Sequence, residues 1–378
     1  MKHIRTLYHN NNQELLGRVT FKPKNLFSRS SYILVTDDSR MFSTGYKCII
    51  STRRIDNMGI TALQVENIGV FNEGDVISID SIGEIYFQYE RTSTSNVIFA
   101  TAKCNHRCIM CPQPPVLQEE DRTSFNLELI KLFDKSTQEI GITGGEPTLI
   151  GDKLFELIRQ IKKSCPKSAI SILSNGVKFA DVDYAAKLAA CNHHDLQIDI
   201  PVFSDIATEH NRIVGAKTFY KTVQGLYNLA QFCQKIGLRI VIHKQTYKRL
   251  PQLADYIYHN FPFVTQVAFM QMETTGLAEK NLKDLWIDPY DYNKELREAV
   301  LLLNARGITT YIYNAQLCVL PPELRPFAKQ SISEWKDVYL PICEGCSLKN
   351  ECAGIFSTNN GNISTHIHKI ECADSCTE

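Results

Sequence analysis

Hydrophobic and polar residues along this chain change rhythm near residue 95. Before it, short apolar runs (YILVTD, KCIIST, ALQVEN, DVISID, EIYFQYE) alternate with turn formers such as Asn57, Gly59, Gly69, Gly74 and Gly83. That spacing predicts short strands and a small β-rich domain over residues 1–94. Beyond the polar stretch RTSTSN at 91–96, strand-like runs alternate with helix-length amphipathic segments. The runs fall at 96–102, 139–145, 169–176, 196–203, 238–246 and 266–272. Segments between them, such as KLFELIRQIKKS and TFYKTVQGLYNLAQFCQKIG, repeat their apolar residues at intervals of three and four. Six such units predict an α/β fold, a partial (β/α)6 barrel over 95–280, whose reactive groups belong on loops at the carboxyl ends of the strands. Residues 281–378 hold one convincing helix (YNKELREAVLLLNARG), a short strand (TTYIYN) and a Cys-rich stretch too poor in apolar residues for its own core. That extension is expected to depend on metal.

Charge narrows the function classes. Lys plus Arg and Asp plus Glu both number 41, so nothing favours nucleic acid or an anionic membrane. No apolar run approaches the ~20 residues of a membrane span, and MKHIRTLYHNNNQELLG lacks the apolar centre of a signal peptide. A cytoplasmic protein is expected. Thirteen cysteines in a reducing compartment then read as metal ligands before disulfides. They are clustered as ligands would be: three at 104–111 and five at 343–376.

The first cluster follows the first barrel strand, in AKCNHRCIMCPQPP. Cys104, Cys108 and Cys111 offer three thiolates on one loop. Iron–sulfur clusters are usually held by four, so three leave one iron open to an exogenous ligand. A zinc site with an open position, joined by His106, is the alternative on spacing alone. At the end of the second strand comes GITGGEPTL, in which Gly144 and Gly145 permit close backbone approach and Glu146 brings a carboxylate onto a rigid turn. SILSNG ends the third strand with Ser174 and Asn175.

In these motifs the chain resembles the radical S-adenosylmethionine (SAM) superfamily over about residues 96–280. The resemblance implies a [4Fe-4S] cluster on Cys104, Cys108 and Cys111 whose open iron is chelated by SAM. Reductive cleavage would then give methionine and a 5'-deoxyadenosyl radical that abstracts hydrogen from substrate. It also implies that Gly144, Gly145 and Glu146 bind the methionyl amino group. Asn175 and Ser204 are the further cofactor-binding candidates, and no catalytic residue is expected beyond the cluster and SAM site. Met110 and Pro201 depart from the usual pattern, which has an aromatic residue before the third cysteine and a polar residue on the fourth strand. His210 and Arg212 read as loop-ordering groups; His243 and Gln245 end the fifth strand, where they could face substrate, although a structural histidine is the preferred reading.

The C-terminal motif, LCVLPP followed by CEGCSLKNEC, resembles the auxiliary-cluster extension of peptide-modifying members of that superfamily. It implies one further iron–sulfur cluster on Cys318, Cys343, Cys346 and Cys352, with Phe356 standing where a further Cys would be. Structural zinc is the alternative, and Cys372 and Cys376 are unassigned. The whole chain most resembles the radical SAM maturases of the His-Xaa-Ser system, C type. This implies a ribosomally made precursor peptide as substrate, a second radical SAM maturase as partner, and an electron donor such as flavodoxin or ferredoxin. An enzyme for a small-molecule or cofactor precursor is the second reading, and a non-catalytic zinc-stabilised binding protein the third.

Overall fold

A computed structural model describes residues 2–56, 59–330, 337–359 and 361–371; Asn57, Cys372 and Cys376 lie outside them. The first part forms an eight-stranded mixed sheet of β1 (His3–Ile4), β2 (Tyr8–His9), β3 (Leu15–Thr20), β4 (Tyr32–Val35), β5 (Cys48–Ser51), β6 (Ala62–Gln64), β7 (Val76–Ile79) and β8 (Ile85–Tyr89). Their spatial order is β1-β8-β7-β3-β4-β5-β6-β2. Strands β3 to β6 pair parallel, whereas β7 pairs antiparallel with β3 and β8. Along β8 the side chains alternate: Ile85, Phe87 and Tyr89 are buried, while Tyr86 and Gln88 are half-exposed. Ile85 and Phe87 join Val19, Ile33, Ile50, Ile77 and Ile79 in a core of their own. Tyr89 instead packs into the main core, stacks on Phe133 at 4.5 Å and hydrogen-bonds Thr137.

The second sheet is all parallel and follows chain order: β9 (Ser95–Thr101), β10 (Glu139–Gly144), β11 (Ala169–Leu173), β12 (Leu196–Pro201), β13 (Lys235–Ile242) and β14 (Gln266–Gln271). Helices α1 (Thr123–Lys131), α2 (Lys153–Ser164), α3 (Val182–Ala189), α4 (Ala207–Val214), α5 (Phe219–Gln231) and α6 (Leu250–Asn260) lie between these strands. In α2 the buried set is Leu154, Phe155, Leu157, Ile158 and Ile161, one apolar stripe at helical spacing. The six expected units are present, and the sheet continues past residue 280. After short helices α7 (Leu277–Lys280) and α8 (Leu282–Leu285), α9 (Asn293–Ala305) crosses over to β15 (Thr309–Tyr313), which pairs with β14 and then with β16 (Ala328–Lys329). Strands β9 and β16 are the sheet's two ends, so the barrel is open along one side.

One expected helix is shorter than its pattern. The segment TFYKTVQGLYNLAQFCQKIG stops being helical at Gln231, because Cys233 takes a left-handed turn (φ 54°) and Lys235 already begins β13. The apolar residues of IGL that continue the helical pattern belong instead to the strand's buried side, as Ile236 and Leu238 are fully buried.

Each barrel strand is two-faced. Ile140, Ile142, Ile170, Ile172, Ile198, Ile200, Leu238 and Ile240 point outward into the helices and form the main core. The alternating residues point inward and mix polar side chains such as Glu139, Ser171, Asp199 and Arg239 with apolar ones such as Val97, Leu173 and Met270. Branched apolar side chains fill a closed barrel of this type. Here the inward side chains are mixed and the lumen stays open. Among the described residues, no helix is long and apolar enough to cross a membrane.

A cysteine loop at the mouth of the open barrel

The loop after β9 carries Cys104, Cys108 and Cys111, all half-buried and all lining one cavity of about 1660 Å³. Its backbone is braced from three sides, each time at a glycine. On the β10 side, the N–H groups of Gly145 and Glu146 donate to the carbonyls of Thr101 (2.7 Å) and Lys103 (2.8 Å). A Cβ on Gly144 would lie 2.2 Å from the Thr101 carbonyl oxygen, and one on Gly145 2.3 Å from that of Lys103. The paired glycines therefore admit the chain's own cysteine loop. After α4, Gly215 turns with φ 65° directly against the Arg107 carbonyl, while Arg107 and Ile109 donate to Val214 and Ile213. After β14, a Cβ on Gly276 would lie 2.4 Å from the Pro112 oxygen, and Leu277 N–H donates to the Cys111 carbonyl at 2.8 Å.

Glu146 is 1 % exposed and does not line the cavity. One carboxylate oxygen accepts from Thr148 N (3.0 Å), Thr148 Oγ1 (2.6 Å) and Ser174 Oγ (2.8 Å); the other accepts from Asn175 N (2.6 Å). It caps the short turn Pro147–Ile150 and joins the ends of β10 and β11. Asn175 lines the cavity and donates through Nδ2 to Asn105 Oδ1 at 2.6 Å, which ties the third strand's end to the cysteine loop. Ser204 is 5 % exposed, accepts from Ile206 N at 3.1 Å ahead of α4, and is not among the residues facing the cavity. Pro201 and Met110 do face it.

Burial pushes all three thiols up, Cys108 to about 12. An apo thiol there resists ionisation until a metal compensates the thiolate charge. Cys111 Sγ donates to the Gln113 carbonyl and Cys104 Sγ accepts from His106 N. Three thiols on one braced loop, facing a common chamber, are a donor set suited to a four-iron cluster with one iron left open. His106 is turned to other work: its Nε2 meets Thr218 Oγ1 at 2.9 Å, and burial lowers its pKa to about 4. His210 and His243 are likewise buried and held near 4 by desolvation. Phe203 and Gln245 backbone N–H groups donate to their Nδ1 atoms. These bonds tie each imidazole to the loop that follows β12 or β13.

The C-terminal cysteines are not among the residues that line this cavity. Cys318 follows β15, and Cys343, Cys346 and Cys352 lie between β17 (Asp337–Val338) and β18 (Ile355–Phe356), which pair antiparallel. Burial raises the Cys318 and Cys352 thiols first; neighbouring Cys343 adds to both, and Cys346 to Cys352. The four thus share one neighbourhood. Among the described residues, no three Cys, His, Asp or Glu side chains converge on a point that would hold a single metal ion. Phe356 faces the cavity, so the extension forms part of its wall.

Motif reading overlooked the barrel's inner charges. Glu139, Asp199 and Arg239 line the chamber below the cysteine loop. Asp199 and Arg239 interrupt apolar strand runs (IDIP, LRIVI) and Glu139 opens one (EIGI), and a charge within or at the start of such a run is the signal that would have found them.

Residues 98–257 match the family described as Radical SAM superfamily. The chain is 31 % identical over 213 residues to the GTP 3',8-cyclase of Limosilactobacillus fermentum, covering 54 % of this chain and 61 % of that one. It is 28 % identical over 173 residues to the tungsten-containing aldehyde ferredoxin oxidoreductase cofactor-modifying protein of Pyrococcus furiosus, covering 42 % and 46 %. The chain thus spans less than two thirds of either relative. Streptococcus suis SuiB bound to S-adenosylmethionine superposes with a TM-score of 0.49 at 16 % identity, covering 59 % of this chain and 50 % of that one. Taken with the parallel open barrel and its braced cysteine loop, the match over residues 98–257 establishes that this chain carries a radical SAM domain, the kind of enzyme domain that binds a [4Fe-4S] cluster and S-adenosylmethionine.

Proposed function

We propose that this chain is a radical SAM maturase of a ribosomally made precursor peptide of the His-Xaa-Ser type. Cys104, Cys108 and Cys111 hold the SAM-binding cluster, and Gly144, Gly145 and Asn175 border the SAM site. Glu146 supports that site from behind by fixing Asn175 and Thr148. When bound, the cluster and SAM supply a 5'-deoxyadenosyl radical upon one-electron reduction, by a flavodoxin or ferredoxin in the cytoplasm. The protein's part is to position substrate and exclude water. Cys318, Cys343, Cys346 and Cys352 hold an auxiliary cluster in the extension whose Phe356 lines the cavity.

The observation that carries this reading is the cavity. Single small ligands occupy pockets of roughly 300–1,000 Å³. This one is about 1660 Å³ and extends from the cysteine loop past the open edge at β9 to Ser78, Tyr86 and Gln88 of the N-terminal sheet. A chamber of that length suits an extended chain threading between the two sheets. Its walls carry nine carboxylates against Lys2, Arg122 and Arg239, a field that repels a polyanion.

The second reading, a small-molecule or cofactor precursor, draws support from the GTP 3',8-cyclase likeness. One assay separates the two. Protein reconstituted anaerobically with iron and sulfide is given SAM, dithionite and either the precursor peptide or GTP, and 5'-deoxyadenosine and substrate mass are followed. Peptide-dependent release with a peptide mass shift is expected. Release that depends on GTP and ignores peptide would reverse the assignment.

A further inference from the structure

Arg239 stands in mid-β13 between Leu238 and Ile240, which are fully buried on the helix side. Strand alternation therefore sends its side chain the other way, into the chamber. A guanidinium offers five N–H donors in a planar fork. Here the hydrogen bonds it makes among the described residues run from Nε and Nη2 to the thioether sulfur of Met270, at 3.3 and 3.2 Å. Thioether sulfur is a weak acceptor and carries no charge. Asp199, on the neighbouring strand, acts on the guanidinium through space but makes no ion pair with it. Its Oδ1 accepts from Gln197 Nε2 at 2.8 Å and occupies room left open by Gly237, where a Cβ would lie 2.1 Å away. The chamber therefore presents a cation whose fork is held by a neutral sulfur.

We propose that Arg239 is a specificity-determining residue that receives one carboxylate of the substrate peptide, from an acidic side chain or a C-terminus. This rests on the peptide reading above. A planar carboxylate matches the guanidinium fork in a bidentate pair. Glu139 and Asp199 face the same chamber and repel any anion, so a phosphate chain with several negative charges meets more repulsion there than a single carboxylate paired with Arg239. Arg239 has a second, purely structural role open to it, as counter-charge to Asp199. A structural counter-charge would not discriminate between ligands.

The test uses the full chain, reconstituted and loaded with SAM. Binding is measured for three synthetic His-Gly-Ser-containing peptides: one with an internal Glu and an amidated end, one with Gln and a free carboxyl end, and one with Gln and an amidated end. GTP is the fourth probe. One carboxylate peptide is expected to bind about tenfold or more tightly than the neutral one. Which peptide does so names the carboxylate's source. The gap should close in Arg239→Gln and partly persist in Arg239→Lys, whose charge remains while its fork is lost. Equal binding of all three peptides to the native protein overturns the assignment but leaves the peptide reading standing, and needs no variant to fold. A gap that survives in Arg239→Gln also overturns it. Binding of GTP and of none of the peptides removes both.

Discussion

Glu146 and Asn175 are joined by a 2.6 Å hydrogen bond from the Asn175 backbone N–H to the Glu146 carboxylate, and this bond locks the end of β11 to the end of β10. Four donors converge on this one buried side chain, and a carboxylate can accept from all of them. Glu146→Gln replaces one acceptor oxygen with a donor and sets it against an existing donor. The expected cost is about 2–4 kcal/mol of stability, with lower iron retention because Asn175 also holds Asn105. Denaturant unfolding and iron content measure both. A variant as stable as the native protein would show that the brace contributes nothing.

The glycine braces predict a difference between glycines that share a positive φ. Gly276 (φ 64°) faces the Pro112 and Cys111 carbonyls, whereas Gly307 (φ 80°) has nothing within 4 Å of an added Cβ. Gly307→Ala should cost only the left-handed backbone penalty of about 1–2 kcal/mol. Gly276→Ala should cost more and should displace the cysteine loop, seen as iron lost from a chain that still shows native secondary structure by circular dichroism. Equal iron in the two variants would contradict the brace.

Two buried histidines give a signed pH dependence. His210 and His243 have their pKa lowered from 6.5 to about 4, chiefly by burial. Between those values the unfolded chain binds protons that the folded chain refuses, so stability is full above pH 6.5 and falls as pH drops towards 4. Each contributes on the order of 3 kcal/mol to that fall. Melting temperature against pH should decline through this window, and the slope should flatten in the His210→Gln, His243→Gln double variant. An unchanged slope would place the acid sensitivity elsewhere.

The two cysteine groups predict separable losses. Replacing Cys104, Cys108 and Cys111 by Ser should abolish 5'-deoxyadenosine formation while keeping the iron of the auxiliary site, roughly half the total. Replacing Cys343, Cys346 and Cys352 should remove the other half and weaken the cavity wall near Phe356. Acid-labile sulfide and iron per chain report the outcome. Zinc without sulfide in the first variant would mark the C-terminal site as structural.

Much of the molecule was legible before folding. Parallel strands alternating with amphipathic helices require right-handed crossovers in one sheet, and the cysteine spacing needed only its position after the first strand to read as a cluster loop. Hydrophobic periodicity is local, so it reported the helices and the outward face of each strand. The continuation of the sheet through β15 and β16 was not legible. Thr309–Tyr313 and Ala328–Lys329 are too short to announce a partner, and only docking beside β14 supplies one.

Sequence alone determined the chemistry on offer: three thiols, a Gly-Gly-Glu turn and a second group of cysteines, each set by residue type and spacing. Tertiary structure decided what each does. It turned Glu146 inward as a brace, gave Gly144, Gly145 and Gly276 the task of admitting the cysteine loop, kept Ser204 off the cavity, and brought Glu139, Asp199 and Arg239 from three strands into one chamber. Closeness in space depends on sheet register and on which face of a strand turns inward. Both are fixed only when distant segments pack together.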